Sequence, residues 1–252
     1  MMINLLILQI GKKTMNVLAI LQARMSSSRL PGKVMMEILG EPMISLQIER
    51  IKRAKKIDKL ILATSNQEED NKLEEVCKNI GLYCFRGSLD NVLDRYYNAA
   101  LTFNPIHIVR LTGDCPLIDP KIIDEVIDYH ISENSDFTSN AAPNQRLIPD
   151  GLDAEVIKFK ILEKIWKKEL SKEQKEHVTL YFYENLKEFN FKIYAHKGKD
   201  LSSHRWTVDY LEDFNFVEKI YSKLYHQKND FNTEDILNLL EKNPHLTRKS
   251  NE

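Results

Sequence analysis

Cysteine, glycine and proline are scarce in this chain of 252 residues: three, eight and eight. Cys77, Cys84 and Cys115 show no Cys-x-x-Cys spacing and, being odd in number, cannot all pair within the chain. A disulfide scaffold is excluded, and a reducing, cytoplasmic setting is expected. The few glycines form no Gly-x-Gly-x-x-Gly fingerprint. Gly32-Lys33 is followed by Val34, and no glycine stands five residues before Gly32, so there is no Walker A loop either. No apolar run reaches the ~18–20 residues that a membrane-spanning helix needs. The net charge of −1 supplies no long-range field for nucleic acid or a membrane surface. The histidines show no His-Glu-x-x-His spacing for a metal.

What is present is alternation of strand and helix. Val17 to Gln22 is an apolar run that reads as a buried strand, and Lys59 to Thr64, Leu82 to Phe85 and Ile106 to Leu111 repeat it. Between them, Pro42 to Lys55, Gln67 to Asn79, Asn91 to Phe103 and Pro120 to Glu133 have helical spacing, with Asp90 the expected N-cap of the third. This order predicts an α/β fold, a mostly parallel sheet covered on both faces. The second half is less regular. Strands are expected at 136–139, 151–157 and 189–196, the last an antiparallel or edge excursion, and a short apolar run at Trp206 to Val208. Helices are expected at 159–170, 172–186, 211–225 and 233–240. One domain over 15–245 is expected, with 1–14 an extension outside the fold and 246–252 a tail. Ile3 to Ile10 lacks the positive leader and cleavage site of a signal peptide, and Met15 is a natural start.

The stretch after the first strand concentrates the chemistry. Arg24, Arg29 and Lys33 are spaced by Ser26, Ser27, Ser28 and Pro31-Gly32. Cations and inward-turned N–H groups of such a loop can hold phosphate oxygens, and strand ends are where open α/β sheets bind ligands. A plain solvated basic loop is the alternative. Asp114 follows a strand behind Thr112-Gly113, and Asp209 follows Trp206 to Val208. Each suits a hard oxygen-seeking cation such as Mg²⁺, and each equally suits a helix or turn cap. Asp153 and Glu155 alternate with apolar residues and so share one strand face, solvated or turned to the hydroxyls or amine of a ligand.

These residues come in an order that resembles a known family. Ala23-Arg24, Ser27-Ser28-Arg29-Leu30-Pro31-Gly32-Lys33 and Gly40-Glu41-Pro42-Met43 resemble the signature of the nucleotide-sugar cytidylyltransferases. The likeness extends to the 3-deoxy-manno-octulosonate cytidylyltransferases and is closer to the branch named after spore-coat polysaccharide biosynthesis protein F. Gly113-Asp114-Cys115-Pro116-Leu117 and Val208 to Asp213 match family motifs, although Tyr210 stands where Thr or Ser is usual. Pro149 to Glu155 and Glu176-His177-Val178-Thr179 match the spore-coat branch.

The resemblance covers residues 16–245 and implies a Rossmann-like nucleotide-diphospho-sugar transferase fold. It implies transfer of a nucleoside monophosphate from a triphosphate, CTP favoured, to a sugar or sugar acid, with pyrophosphate released. Arg24, Lys33, Asp114 and Asp209 would be catalytic, the two aspartates holding Mg²⁺. Leu21, Gln22, Ala23, Ser28 and Arg29 would join them at the nucleotide, with Thr64, Arg86, Gly87, Thr112 and Gly113. Asp153, Glu155, His177 and Arg205 would face the acceptor. A homodimer is the family's usual state, and no nucleic acid or membrane partner is expected. GTP as donor, a glycosyltransferase using a nucleotide sugar, and a non-catalytic nucleotide-binding module stay open. Cys115 is not expected to act as a nucleophile, because direct in-line transfer needs none.

Overall fold

In the first strand, β1 (Met15–Gln22), Val17, Ala19 and Leu21 pack into the core on one side and Leu18 and Ile20 on the other, all at most 1% exposed. Such a run, buried on both faces, is the mark of a strand at the centre of a covered sheet. The computed structural model describes residues 15–143 and 145–249. The expected extension 1–14 and the end of the expected tail lie outside the described residues.

From β1 the chain passes through a 3-10 turn at Lys33–Met35 to a small antiparallel hairpin, β2 (Glu37–Ile38) and β3 (Glu41–Pro42). Four units follow: α1 (Met43–Ile51) with β4 (Lys59–Ser65), α2 (Asn71–Asn79) with β5 (Tyr83–Gly87), α3 (Val92–Leu101) with β6 (Pro105–Thr112), and α4 (Pro120–Ser132) with β7 (Phe137–Ser139). Then come β8 (Glu155–Lys158), α5 (Phe159–Trp166), α6 (Lys172–Glu176), α7 (Leu180–Glu184), β9 (Phe191–Ile193), α8 (Leu211–Leu224) and α9 (Thr233–Lys242). The main sheet has seven strands in the order β5-β4-β1-β6-β8-β7-β9. All neighbours are parallel except at β8, which runs against both β6 and β7. Helices α1, α2, α4, α8 and α9 supply the core on the Val17 side, and α3, α5 and α7 on the Leu18 side. No helix among the described residues is long and apolar enough to cross a membrane.

The α/β expectation is borne out, with local corrections. Asn91, not Asp90, caps α3, its side chain accepting from Asp94 N at 3.0 Å. The helix expected over 172–186 breaks at His177 (φ −103°, ψ 92°). There Thr179 Oγ1 donates to the buried Glu155 carboxylate at 3.2 Å, a tertiary pull that local spacing does not carry. The edge excursion shrinks to β9, which is parallel to β7; the antiparallel member is β8. Trp206 to Val208 is not a strand of the sheet. It is strapped across the strand ends by Trp206 N to Asp150 O (2.6 Å) and Val208 N to Asp114 O (2.8 Å). Gly151 permits this close approach: its φ is +111°, and a Cβ there would lie 2.5 Å from Thr207 N.

Candidate active site

Strands β1 and β6 run side by side, with Gln22 opposite Thr112, while the chain moves outward from β1 in opposite directions toward β4 and β6. A crevice opens at the carboxyl ends of such a pair, where the strand order reverses. Here it is a cavity of 270 Å³, walled by the ends of β1 and β6, the basic loop, Glu176-His177 and Asp209. The two strand ends touch: Gly113 N donates to Gln22 O at 2.7 Å, and a Cβ at Gly113 would sit 2.9 Å from Ala23 Cβ.

The basic loop is pinned at both ends. Met25 N donates to Asp70 Oδ1 at 2.7 Å, while Asp70 Oδ2 accepts from Ser65 N and Oγ at 3.0 and 2.5 Å. Gly32, in the left-handed region at φ +73°, returns its N–H to Met25 O at 2.8 Å. The chain then turns Lys33 inward. Its ammonium is buried and lies 2.5 Å from Val208 O, 3.1 Å from Asp209 Oδ1 and 3.6 Å from Asp114 Oδ2. The two aspartates, so distant in sequence, therefore converge on one point. Asp209 also takes Arg29 at 2.6 Å and Arg205 at 3.0 Å. Burial pushes its carboxyl up, but Lys33, Arg29 and Arg205 outweigh burial and hold it below the usual carboxylate range. Asp114 Oδ1 accepts from Thr112 Oγ1 at 2.5 Å.

Of the expected nucleotide and catalytic residues, Gln22, Ala23, Arg24, Ser28, Arg29, Lys33, Thr112, Gly113, Asp114 and Asp209 line this cavity, and His177 stands with them. Arg24 meets Glu176 at 3.7 Å on the rim. Four expected residues are not brought to its wall. Leu21 is core. Thr64 is fully buried. Arg86 is committed to Ser65 O (3.1 Å), Gln67 O (2.7 Å) and Glu74 (2.7 Å), bracing the β4–α2 turn. Gly87 packs under Arg95, whose Cγ a Cβ there would meet at 3.1 Å.

A second cavity of 230 Å³ adjoins the first and shares Arg110, Thr112, Asp114 and Asp209 with it. Asp150, Asp153, Glu155, Cys115 and Thr207 complete its wall. Glu155 is not a solvated side chain: it is 4% exposed and accepts from Arg110 (2.5 Å), Tyr183 OH (2.6 Å) and Thr179. Asp153 forms a two-pronged pair with Arg146. Arg205, expected at the acceptor, instead stands behind the wall, where it ties Asp150 (3.2 Å), Asp209 and Asp213 (3.1 Å) together. Burial raises the Cys115 thiol well above its ordinary value, which leaves little thiolate to act as a nucleophile. Arg110 and Asp70 were missed in the sequence. The signal for Arg110 was a charged side chain inside a mostly apolar strand.

Asp114 and Asp209 fit a hard divalent cation, since they offer only oxygen and converge on one point. Among the described residues no group of three or more His, Cys, Asp or Glu is gathered for a metal. Two carboxylates are what Mg²⁺ uses when substrate phosphates and water supply its remaining ligands.

Comparison with known proteins places this architecture. The family described as Cytidylyltransferase matches residues 18–242. The spore coat polysaccharide biosynthesis protein SpsF of Bacillus subtilis is 33% identical over 237 residues, covering 91% of this chain and 95% of that protein. A 3-deoxy-manno-octulosonate cytidylyltransferase of Pelobacter propionicus is 33% identical over 146 residues, covering 57% and 56%. The solved structure of a cytidylyltransferase from Leptospira borgpetersenii superposes with a TM-score of 0.86 at 34% identity, covering 92% of this chain and 96% of that one. Fold, cavity and sequence agree, and the chain belongs to the cytidylyltransferase family.

Proposed function

We propose that the protein transfers CMP from CTP to a hydroxyl of a sugar or sugar-acid acceptor and releases pyrophosphate. The observation that carries this is the convergence of Lys33, Asp114 and Asp209 at the crevice between β1 and β6, with Arg24 and Arg29 beside it. Arg24, Arg29 and Lys33 neutralise phosphate oxygens, most of all on the departing pyrophosphate. Asp114 and Asp209 would hold Mg²⁺, which when bound offsets charge on the triphosphate. The acceptor is assigned to the adjoining cavity, which shares Arg110, Thr112, Asp114 and Asp209 with the first. The remaining catalysis is positioning, because both reactants are held against one rigid sheet edge.

The four nucleoside triphosphates, each with Mg²⁺ and a sugar panel, test this by pyrophosphate release. CTP should give the highest kcat/KM. Higher turnover with GTP would change the assigned base. Consumption of a nucleotide sugar without pyrophosphate would replace the reaction by glycosyl transfer, and binding without turnover would leave a nucleotide-binding module.

A further inference from the structure

We infer that Arg50, with Gln47 and Tyr221, forms a buried clamp that sets the position of Asp114 for a divalent cation. All three are at most 2% exposed, and none lines either cavity. They are positioning residues rather than catalytic ones, and the inference rests on the proposed role of Asp114 in holding Mg²⁺.

Asp114 lies in the turn between β6 and α4, beyond the last pair of the β1–β6 ladder, Gln22 with Thr112. A turn outside the ladder must find other partners for its buried carbonyls. Side chains of two helices on the Val17 side supply them. From α1, Gln47 Nε2 donates to Thr112 O at 2.7 Å. Arg50, one turn further along α1, donates through Nε to Ile118 O at 2.9 Å and through Nη2 to Leu117 O at 3.4 Å. From α8, Tyr221 OH donates to Pro116 O at 2.8 Å. Asp114 O itself accepts from Thr207 Oγ1 at 3.2 Å. Asp114 is thus bracketed by bonds from the core, at Thr112 on one side and at Pro116, Leu117 and Ile118 on the other.

Arg50 is the unusual member of the clamp. It forms no ion pair among the described residues, and its Nη1 is buried with no partner there. Its guanidinium carbon lies 4.2 Å from the ring centroid of Phe231. Burial pulls its pKa below the ordinary value, although Tyr221 and Asp119 favour the charge. A charge kept in the core without a carboxylate is costly, and an apolar side chain would fill the space at lower cost. What an apolar side chain lacks is a planar fork of donors that fixes two successive carbonyls at once. Mg²⁺ demands near-octahedral geometry at about 2.0–2.1 Å, so a small displacement of Asp114 would weaken its hold. Changes one layer behind a metal ligand typically cost ~10–100-fold in metal affinity or activity. This clamp acts through the backbone, which puts its effect at the low end of that range.

The test is calorimetry of CTP binding to the full-length native protein, Arg50→Met and Tyr221→Phe, each without Mg²⁺ and with it. Mg²⁺ should tighten CTP binding to the native protein. Without Mg²⁺ both variants should match the native affinity within about twofold, because the basic loop is untouched. Arg50→Met should lose at least fivefold of the tightening by Mg²⁺. Tyr221→Phe removes one bond and keeps the ring, and should lose at least twofold. If Arg50→Met does not unfold cooperatively in urea, Tyr221→Phe decides the matter. A native affinity indifferent to Mg²⁺ would overturn the metal reading and this inference with it. A native response that the folded variants keep in full would overturn this inference alone. So would weakening by the same factor with and without Mg²⁺, which marks a loosened fold rather than a displaced ligand.

Discussion

Replacing Lys33 by Met keeps most of the apolar stem and removes the charge. The lost ammonium sits 2.5 Å from Val208 O, 3.1 Å from Asp209 and 3.6 Å from Asp114, and the lysine side chain is 9% exposed. Removing one member of a buried ion pair costs about 3–5 kcal/mol. Two features lower that here. Asp114's side chain is 32% exposed, and Asp209 keeps Arg29 and Arg205. We therefore expect a loss of about 2 kcal/mol in urea unfolding without metal. Millimolar Mg²⁺ should restore part of it in Lys33→Met and add less to the native protein, because the ammonium and the divalent cation compete for the same carboxylates. In calorimetry the variant should lose roughly 1.5–3 kcal/mol of CTP affinity, the worth of one charge-assisted hydrogen bond, and much less of CMP affinity. Unchanged stability, or equal weakening of CTP and CMP, would refute the placement of Lys33 at the distal phosphates and between the aspartates.

Asp114→Asn and Asp209→Asn should each abolish pyrophosphate release, but Asp209→Asn should cost more stability, since it also holds Arg29 and Arg205. The native Asp209 carboxyl lies below its unfolded value, so its contribution is present at neutral pH and should disappear only as pH falls below about 4; urea midpoints of the native protein and Asp209→Asn should converge there. His130, bonded to Thr138 (2.9 Å) and His107 (3.1 Å), is pushed down to about 3 by burial, with His107 and Lys158 adding to it. The unfolded chain then binds the proton first, so stability should fall between pH 6.5 and 3 by up to ~1.4 kcal/mol per pH unit from this group. A His130→Asn variant with the same acid slope as the native protein would refute that.

Much of the site was legible because its parts are local. A buried apolar run, three cations and two aspartates that each follow an apolar run announce themselves within short segments, and the fold brings them together. What escaped depends on partners distant in sequence. Arg86 reads as a nucleotide contact, whereas the fold engages it with Gln67 and Glu74 of the neighbouring turn and helix. Asp70 reads as one more acid in Glu68-Glu69-Asp70, yet it is 2% exposed and ties the basic loop to β4. Arg205 sits two residues from buried Thr207 and reads as a ligand contact, but three carboxylates hold it behind the wall. The break at His177 is invisible to helical spacing, and beside it Thr179 bonds Glu155, a residue of another element.

The double anchorage of the basic loop has an entropic consequence. Asp70 fixes Met25 N, and Gly32 N closes back on Met25 O. Between those points only Ser26 to Pro31 remain without these ties, and Ser27 N is itself bonded to Met25 O at 2.9 Å. Ordering a free residue costs roughly 1–2 kcal/mol, so every residue already held is one whose ordering the triphosphate does not have to offset. The loop thus has less freedom left to lose when a ligand orders it, and under the proposed function more of the attraction between guanidinium and phosphate would go into affinity. Loosening Asp70 would shift that balance without touching a single phosphate contact.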